Sequence, residues 1–408
     1  MSLEKNSMIQ VYLDTVSSHI KWREVHGQVK SELLSHLEDI VMELRNDGIS
    51  EQQAVTEAIH RMGDADDLGR QLQQTHVPQK NWPLVAIVTL LSGVGIVLMY
   101  MLEMSGLFTP SVHVFTKSLI FTGFGVAILL WLYYCDFRKV RSYTTYLYIG
   151  TMLLWFMGLF LGTSINGKQF LAFGPISIDY SGIIPYVLVV SLAGILADRD
   201  WSNQQWVKKV LLLFIVTFLF CVMSNNTPLS FMYTLVFLVL MAIDGARKVQ
   251  ITGFLMVPLG YILIKMYQEV GSLNLAYYQS ASLWGQSNLG VNAITAFHTD
   301  FSFLYFIQEY GWLAGLMLIF AGIALLLILV SATLQVKDRF GRMTVGGLTV
   351  CFAVQMTWHV LMSLGVMPVV SISMPFISFG GSQTVIHLGA IGVILSIYKR
   401  KNLMRARG

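Results

Sequence analysis

The 408-residue sequence predicts an all-α, polytopic membrane protein with about ten transmembrane helices and a small N-terminal helical domain. Three observations predict it. Hydrophobic residues supply 55% of the chain and charged ones 12%, against about 25% charge in soluble domains; mean hydropathy is +0.62. From residue 84 onward, apolar runs of about 18 to 25 residues recur, long enough to cross the hydrocarbon core. Before that point the chain is polar, with apolar positions at helical spacing. The net charge of +4 is no nucleic-acid signature, because the basic residues sit in short loops between apolar runs, where they orient a chain in a bilayer.

The chain divides into a cytoplasmic helical domain (1–76), a linker (77–83), a membrane domain (84–400) and a basic tail (401–408). In the first, Leu34, Leu37, Val41 and Leu44 share a helix face, and Gly48 follows as a C-cap. Ser50 starts the next helix with Gln53 three residues on, a capping box. Ala54, Ala58, Ile59 and Met62 form its inner face, and Asp64 caps a last short helix carrying Leu68 and Leu72. The stretch SHLEDIVMELRNDGISEQQAVTEAIHRMGDADDL resembles the helical prefix domain of some bacterial permeases. It holds no catalytic constellation, and His36 and His60 read as solvated or packed, so an interaction or regulatory role is expected. No cleavable signal peptide is expected at the start. Pro78 and Pro83 read as helix breakers in the linker.

The expected spans are 84–103, 115–135, 144–163, 178–197, 208–223, 228–244, 249–267, 301–333, 344–366 and 382–398. The eighth is too long for a straight crossing and must tilt or project into water. Cys135, Cys221 and Cys351 lie in apolar runs without metal-ligand spacing and read as small buried hydrophobes. Arg138, Lys139, Arg141, Arg199, Lys208, Lys209, Arg247, Lys248, Lys337, Arg339, Arg342 and the C-terminal basic cluster from Lys399 all fall on one face. The other face receives Lys117, Lys168 and Lys265. The positive-inside rule therefore puts both termini in the cytoplasm and Asp300 outside.

Two outward segments are unusual. The loop of about 268 to 300 carries Tyr277, Tyr278, Gln279, Trp284 and Gln286, readable as interfacial anchors or sugar-stacking platforms, and ends in His298-Thr299-Asp300. A carboxylate at the lip of an apolar helix is costly unless something uses it; helix N-capping and catalysis are both compatible with Asp300. The segment MPVVSISMPFISFGGSQT (367–384) has no charge, yet is too rich in Pro, Ser and Gly for a helix. Such backbone survives at membrane depth only when buried or lining a cavity, which predicts a re-entrant segment beside an outer cleft.

Here a resemblance becomes specific. MPVVSISMPFISFGGSQ is similar to LPxxGxPLPFxSYGGSS, and HTDFSFLYFIQEYG (298–311) to HTDFIFAVxxEELG, both signatures of the SEDS family (shape, elongation, division and sporulation; the RodA, FtsW and SpoVE group). NGKQFLAFGPISIDYSG (166–182) resembles the family's NGAxRWxxLGxxxxQPSE more weakly. The resemblance implies a peptidoglycan glycosyltransferase that polymerises lipid II, extending an undecaprenyl-linked glycan chain on the outer leaflet of the bacterial cytoplasmic membrane with a class B penicillin-binding protein as partner. It implies Asp300 as the essential carboxylate, acting as general base on the acceptor's 4-hydroxyl in an inverting displacement, or else holding a divalent cation, Mg or Mn. Lys168, with Lys117 behind it, is the cationic candidate for the leaving pyrophosphate. Weaker candidates are His298 and Thr299 for substrate, Glu309 for cavity shape or structural hydrogen bonding, and Ser378, Gly380, Gly381 and Ser382 as close-packing backbone that contacts substrate. His359 and His387 read as neutral packing residues.

The chain departs from the family pattern where Gly182 stands for the Glu of QPSE, where Pro185 or a neighbour replaces a basic residue, where NNTPLSF (225–231) replaces QPDLGTA, and where SLWGQSNLG (282–290) shortens a glycine-rich loop. Two further functions are weighed: a lipid II flippase, which needs polar groups through the midplane, and a catalytically silent scaffold for a penicillin-binding protein.

Overall fold

The computed structural model describes residues 3–75, 78–105, 113–165, 168–174, 176–269, 283 and 298–401. It forms two compact units, one of the residues up to Lys80 together with those from Lys399 on, the other Asn81–Tyr398.

The first unit contains α1 (Ser7–Ser18), α2 (His26–Asn46), α3 (Glu51–Met62) and α4 (Ala65–Thr75). Ile9, Val16, Leu37, Val41, Ala54 and Ala58 fill its core. On α2 it is Leu33 that is buried with Leu37, while Leu34 packs at the margin. Asp64 caps α4 through the Asp66 and Asp67 amides. At Ser50 the capping box is partial, because the hydroxyl donates to Gln53 Oε1 instead of accepting from the helix. Arg400 belongs to this unit: fully buried, it makes a two-pronged pair with Glu24, at 2.7 and 2.9 Å. A guanidinium out of water requires such a partner.

The second unit is the membrane domain. Its helices are α5 (Trp82–Met104), α6 (Val114–Tyr134), α7 (Thr144–Leu161), α8 (Tyr180–Leu196), α9 (Gln204–Met223), α10 (Thr227–Asp244), α11 (Lys248–Glu269), α12 (Ser302–Gln335), α13 (Arg339–Ser363) and α14 (Gly381–Lys399). A helix stands at each of the ten expected positions. Among the described residues eight are long and apolar enough to cross a membrane; α11, bent by 40° beside Pro258, makes a ninth. The tenth, α8, has 17 residues, about 25 Å of helix, short of the roughly 30 Å hydrocarbon core.

The shortfall has a cause the sequence reading missed. Residues 178 and 179, expected to open that span, belong to a three-stranded antiparallel sheet of β1 (Thr163–Ile165), β2 (Lys168–Phe173) and β3 (Ile176–Asp179), in the order β1-β2-β3. Phe170 pairs with Asp179 and Leu171 with Ile178. Pro83 is also corrected: it sits in the first turn of α5, where its missing N–H breaks nothing, and Asn81 caps that turn through the Leu84 amide. The over-long eighth span is interrupted at Gly311 (φ 83°, ψ 170°), a conformation reserved for glycine.

Burial orders the helices. In their most apolar windows α13 is 72% buried and α10 and α14 67%, whereas α6 is 11% buried. The first three therefore form the interior, and α6 presents its apolar surface outward. Residues 364–380, between α13 and α14, are not helical, yet Ile372–Ser378 are buried throughout. Gly95 on α5 admits them: a Cβ there would stand 2.3 Å from the Phe376 carbonyl oxygen.

Candidate active site

Asp300 ends the turn that leads into α12. It is not the N-cap, a position held by Phe301 without a side-chain cap bond. The carboxylate is buried and turned elsewhere. Oδ1 lies 3.2 Å from Lys168 Nζ, and Oδ2 accepts from the Ser371 hydroxyl at 2.9 Å. Lys168, the first residue of β2, is itself buried and donates to Ser373 Oγ at 2.6 Å. The expected stabilisation by a helix terminus is thus replaced by a buried ammonium, a stronger effect in a dry setting because Coulomb attraction grows as the dielectric falls. Among the described residues Oδ1 has no hydrogen-bond partner of its own.

The surrounding segment is held from behind. His359 Nδ1 donates to the Ile372 carbonyl at 2.9 Å, between the two serines. Its Nε2 lies 3.4 Å from Ser302 Oγ, which lies 2.7 Å from Ser378 Oγ. Ser378 accepts from the Met374 amide, and Phe379 N–H donates to the His298 carbonyl. Phe376 adopts φ 69°, a strained left-handed conformation for an aromatic residue, tolerated only when packing over-determines it.

Of the expected residues, the structure brings Asp300 and Lys168 together and places Ser378 beside Ser302. His298 is half-buried, its ring centroid 5.9 Å from that of Phe379. Burial lowers its pKa from the ordinary 6.5, the Asp300 carboxylate pulls it back up and Lys168 lowers it further, so the ring is neutral at pH 7. Thr299 is half-buried. Gly381 opens α14 against Phe121, where a Cβ would come within 2.6 Å, and Gly380 lies beside Gln383. Ser382 Oγ accepts from the Asp179 amide.

Two candidates are not brought in. Lys117 is exposed in the first turn of α6. Glu309 is also exposed, because the Gly311 break leaves it on a short helical segment and not deep within a span. Tyr277, Tyr278, Gln279, Trp284 and Gln286 lie outside the described residues.

A second buried carboxylate adjoins the site. Asp179, at the end of β3, caps α8 through the Gly182 amide, accepts from Ser181 Oγ and accepts from Gln383 Nε2 at 2.7 Å. A Cβ on Gly182 would stand 2.8 Å from Gln383 Nε2 and 3.0 Å from Asp179 Oδ2. The position that lacks the family's glutamate is therefore the space in which Asp179 and Gln383 meet. Asp179, Ser302, Ser371, Ser373 and Gln383 were all missed in the sequence. For Ser371, Ser373 and Gln383 the signal was there, as polar side chains in the uncharged segment 367–384, whereas Asp179 and Ser302 stand in other segments without such a signal.

The described residues beside Asp300 do not fit a resident divalent cation. Among the described residues no three His, Cys, Asp or Glu side chains converge, and the Lys168 ammonium holds the flank of Oδ1 that a cation would take.

Next to the site an apolar groove of about 660 Å³ runs between α6, α8 and α14, lined by Phe121, Phe124, Val187, Phe379, Val385 and Ile386 among others.

A family model described as a cell cycle protein, that of FtsW, RodA and SpoVE, matches residues 81–288 and 282–403. A curated protein of Aliivibrio salmonicida, probable peptidoglycan glycosyltransferase FtsW, is 23% identical over 319 residues, covering 70% of this chain and 80% of its own. Stage V sporulation protein E of Bacillus subtilis is 22% identical over 353 residues, covering 77% and 95%. The crystal structure of rod shape determining protein RodA from Thermus thermophilus aligns with a TM-score of 0.62 at 20% identity over 79% of this chain and 97% of that one. A structure concerned with polymerization and crosslinking by a peptidoglycan synthase complex aligns with a TM-score of 0.67 at 20% identity, covering 79% and 98%. These two likenesses establish a shared fold for the membrane unit.

Proposed function

We propose, since this chain belongs to the cell cycle protein family of FtsW, RodA and SpoVE, that it is a peptidoglycan glycosyltransferase polymerising lipid II at the outer face of the bacterial cytoplasmic membrane. One observation carries the reading: a buried carboxylate and a buried ammonium, Asp300 and Lys168, meet 3.2 Å apart, and Phe379, bonded to the His298 carbonyl two residues from Asp300, lines an apolar groove. Such a pair supplies the two charges an inverting glycosyl transfer requires. The 4-hydroxyl of the acceptor N-acetylglucosamine attacks the anomeric carbon of the lipid-linked chain, and the bond to undecaprenyl pyrophosphate breaks. Asp300 takes the hydroxyl proton as general base, worth typically 10²–10⁴-fold. Lys168 pairs with Asp300 and has further N–H donors for the charge that develops on the pyrophosphate. The groove accommodates an isoprenoid tail beside that headgroup.

The positive-inside distribution supports an orientation with Asp300 outside and both termini in the cytoplasm. A class B penicillin-binding protein is the proposed partner, and the relative in the synthase complex supports an assembly of this kind. The test is polymerisation of purified lipid II by the full chain, with and without such a partner. Glycan strands that vanish with Asp300→Asn support the reading. Undiminished strands with that variant, lipid translocation without strands, or partner binding without either output would overturn it.

A further inference from the structure

The motif similar to LPxxGxPLPFxSYGGSS carries glycine and proline where this chain has Ser371 and Ser373. Those two hydroxyls are the ones that reach the charged pair. Ser371 Oγ donates to Asp300 Oδ2 at 2.9 Å, and Ser373 Oγ accepts from Lys168 Nζ at 2.6 Å. Between them, the Ile372 carbonyl accepts from His359 Nδ1 at 2.9 Å. A three-residue stretch is therefore gripped at its centre by a buried imidazole, and with its two flanking side chains it holds both members of one ion pair.

We infer that Ser371 and Ser373 are positioning residues, a strap that sets the Asp300 carboxylate and Lys168 ammonium in place before substrate arrives, with His359 fixing the strap. The inference rests on the glycosyltransferase reading for its catalytic consequence but not for its geometry. Each hydroxyl matches the charge it meets, the donor facing the carboxylate and the acceptor facing the ammonium. Glycine or proline at either position supplies neither group. Hydrogen bonds to charged groups are the strong class, and an ion pair deprived of one gains angular freedom, which a base reaching for a single proton cannot use. The strap touches no reacting atom, so its contribution belongs to kcat and not to substrate affinity.

The experiment compares the full-length wild-type chain with S371A, S373A, the double variant, S371T and H359A, using two readouts. In lipid II polymerisation, kcat is expected to fall about tenfold for each single alanine and about a hundredfold for the double, with KM within about twofold. S371T, which keeps the hydroxyl, stays near wild type, and H359A follows the double variant. The second readout needs no activity: the rate at which acetic anhydride acylates Lys168, followed by peptide mass spectrometry. It is expected to rise at least severalfold in S373A and the double variant, and to stay unchanged in S371T. Wild-type acylation of Lys168 in the double variant overturns the strap. Faster acylation with kcat unchanged or raised, or a change confined to KM, overturns its role in the reaction. If the wild-type chain makes no strands, the polymerase reading fails alone, and the acylation rates still decide the strap.

Discussion

The membrane unit buries carboxylates at both ends of the bundle, and two of them, Asp244 and Asp300, are handled differently. Asp244 closes α10 at the end where α8 and α12 finish. Its Oδ2 accepts from Trp201 Nε1 at 2.7 Å and its Oδ1 from the Asp198 amide at 3.1 Å, while Arg339, half exposed, stands 3.7 Å away. Asp300, at the end where α12 begins, has one hydroxyl on Oδ2 and an ammonium beside an Oδ1 that has no hydrogen-bond partner among the described residues. The first carboxylate spends its lone pairs on holding a loop. The second keeps acceptor capacity while remaining out of water, an arrangement that costs stability and is retained where a charge is used.

The sharpest break in this comparison is Asp300→Asn, which removes the proposed base and leaves the shape. Polymerisation per folded molecule should fall by about 10²–10⁴-fold, measured on purified lipid II, with a lower melting temperature in detergent because the buried Lys168 ammonium loses its counter-charge. Lys168→Met comes next, with a loss of about 10- to 100-fold in kcat, because Asp300 loses the ammonium paired with it.

Asp244→Ala inverts the pattern. It orphans the buried Trp201 N–H and should cost about 1–3 kcal/mol of stability, seen as a lower melting temperature, with kcat per folded molecule unchanged. Gly95→Ala probes the packing beneath the site: its methyl meets the Phe376 carbonyl, should cost about 1–3 kcal/mol and lowers activity by moving the strap.

The smallest effect is His298→Asn. Burial lowers the His298 pKa in the folded chain. The unfolded chain therefore binds the extra proton first, and stability present above about pH 6.5 is lost as pH falls through that value toward the folded pKa. The asparagine variant should show a flatter stability curve below pH 6.5 by thermal melts across pH.

Much of the architecture was readable in advance, and the exceptions have physical reasons. Ten apolar runs predicted ten helices because hydrocarbon length selects for them. The three strands were not readable, since KQFLAFGPISID, with Lys168, Gln169, Gly174, Pro175 and Asp179, reads as an ordinary connecting segment, and only its pairing reveals the sheet. Glu309 was expected deep in a span because the Gly311 break has no hydropathy signature. Asp300 and Lys168 were each singled out, yet nothing in a separation of 132 positions says that their charged atoms meet.

By itself, the chemistry of the residues determined that this chain lives in a membrane, where its helices fall and which carboxylate stands out, because transfer of apolar surface depends on composition and local spacing. Only the tertiary structure decided that Lys168 reaches Asp300, that two serines hold them, and that Asp179 and Gln383 fill the space left at Gly182. Those are contacts between segments far apart in sequence, set by packing between helices, and packing is a property of the whole.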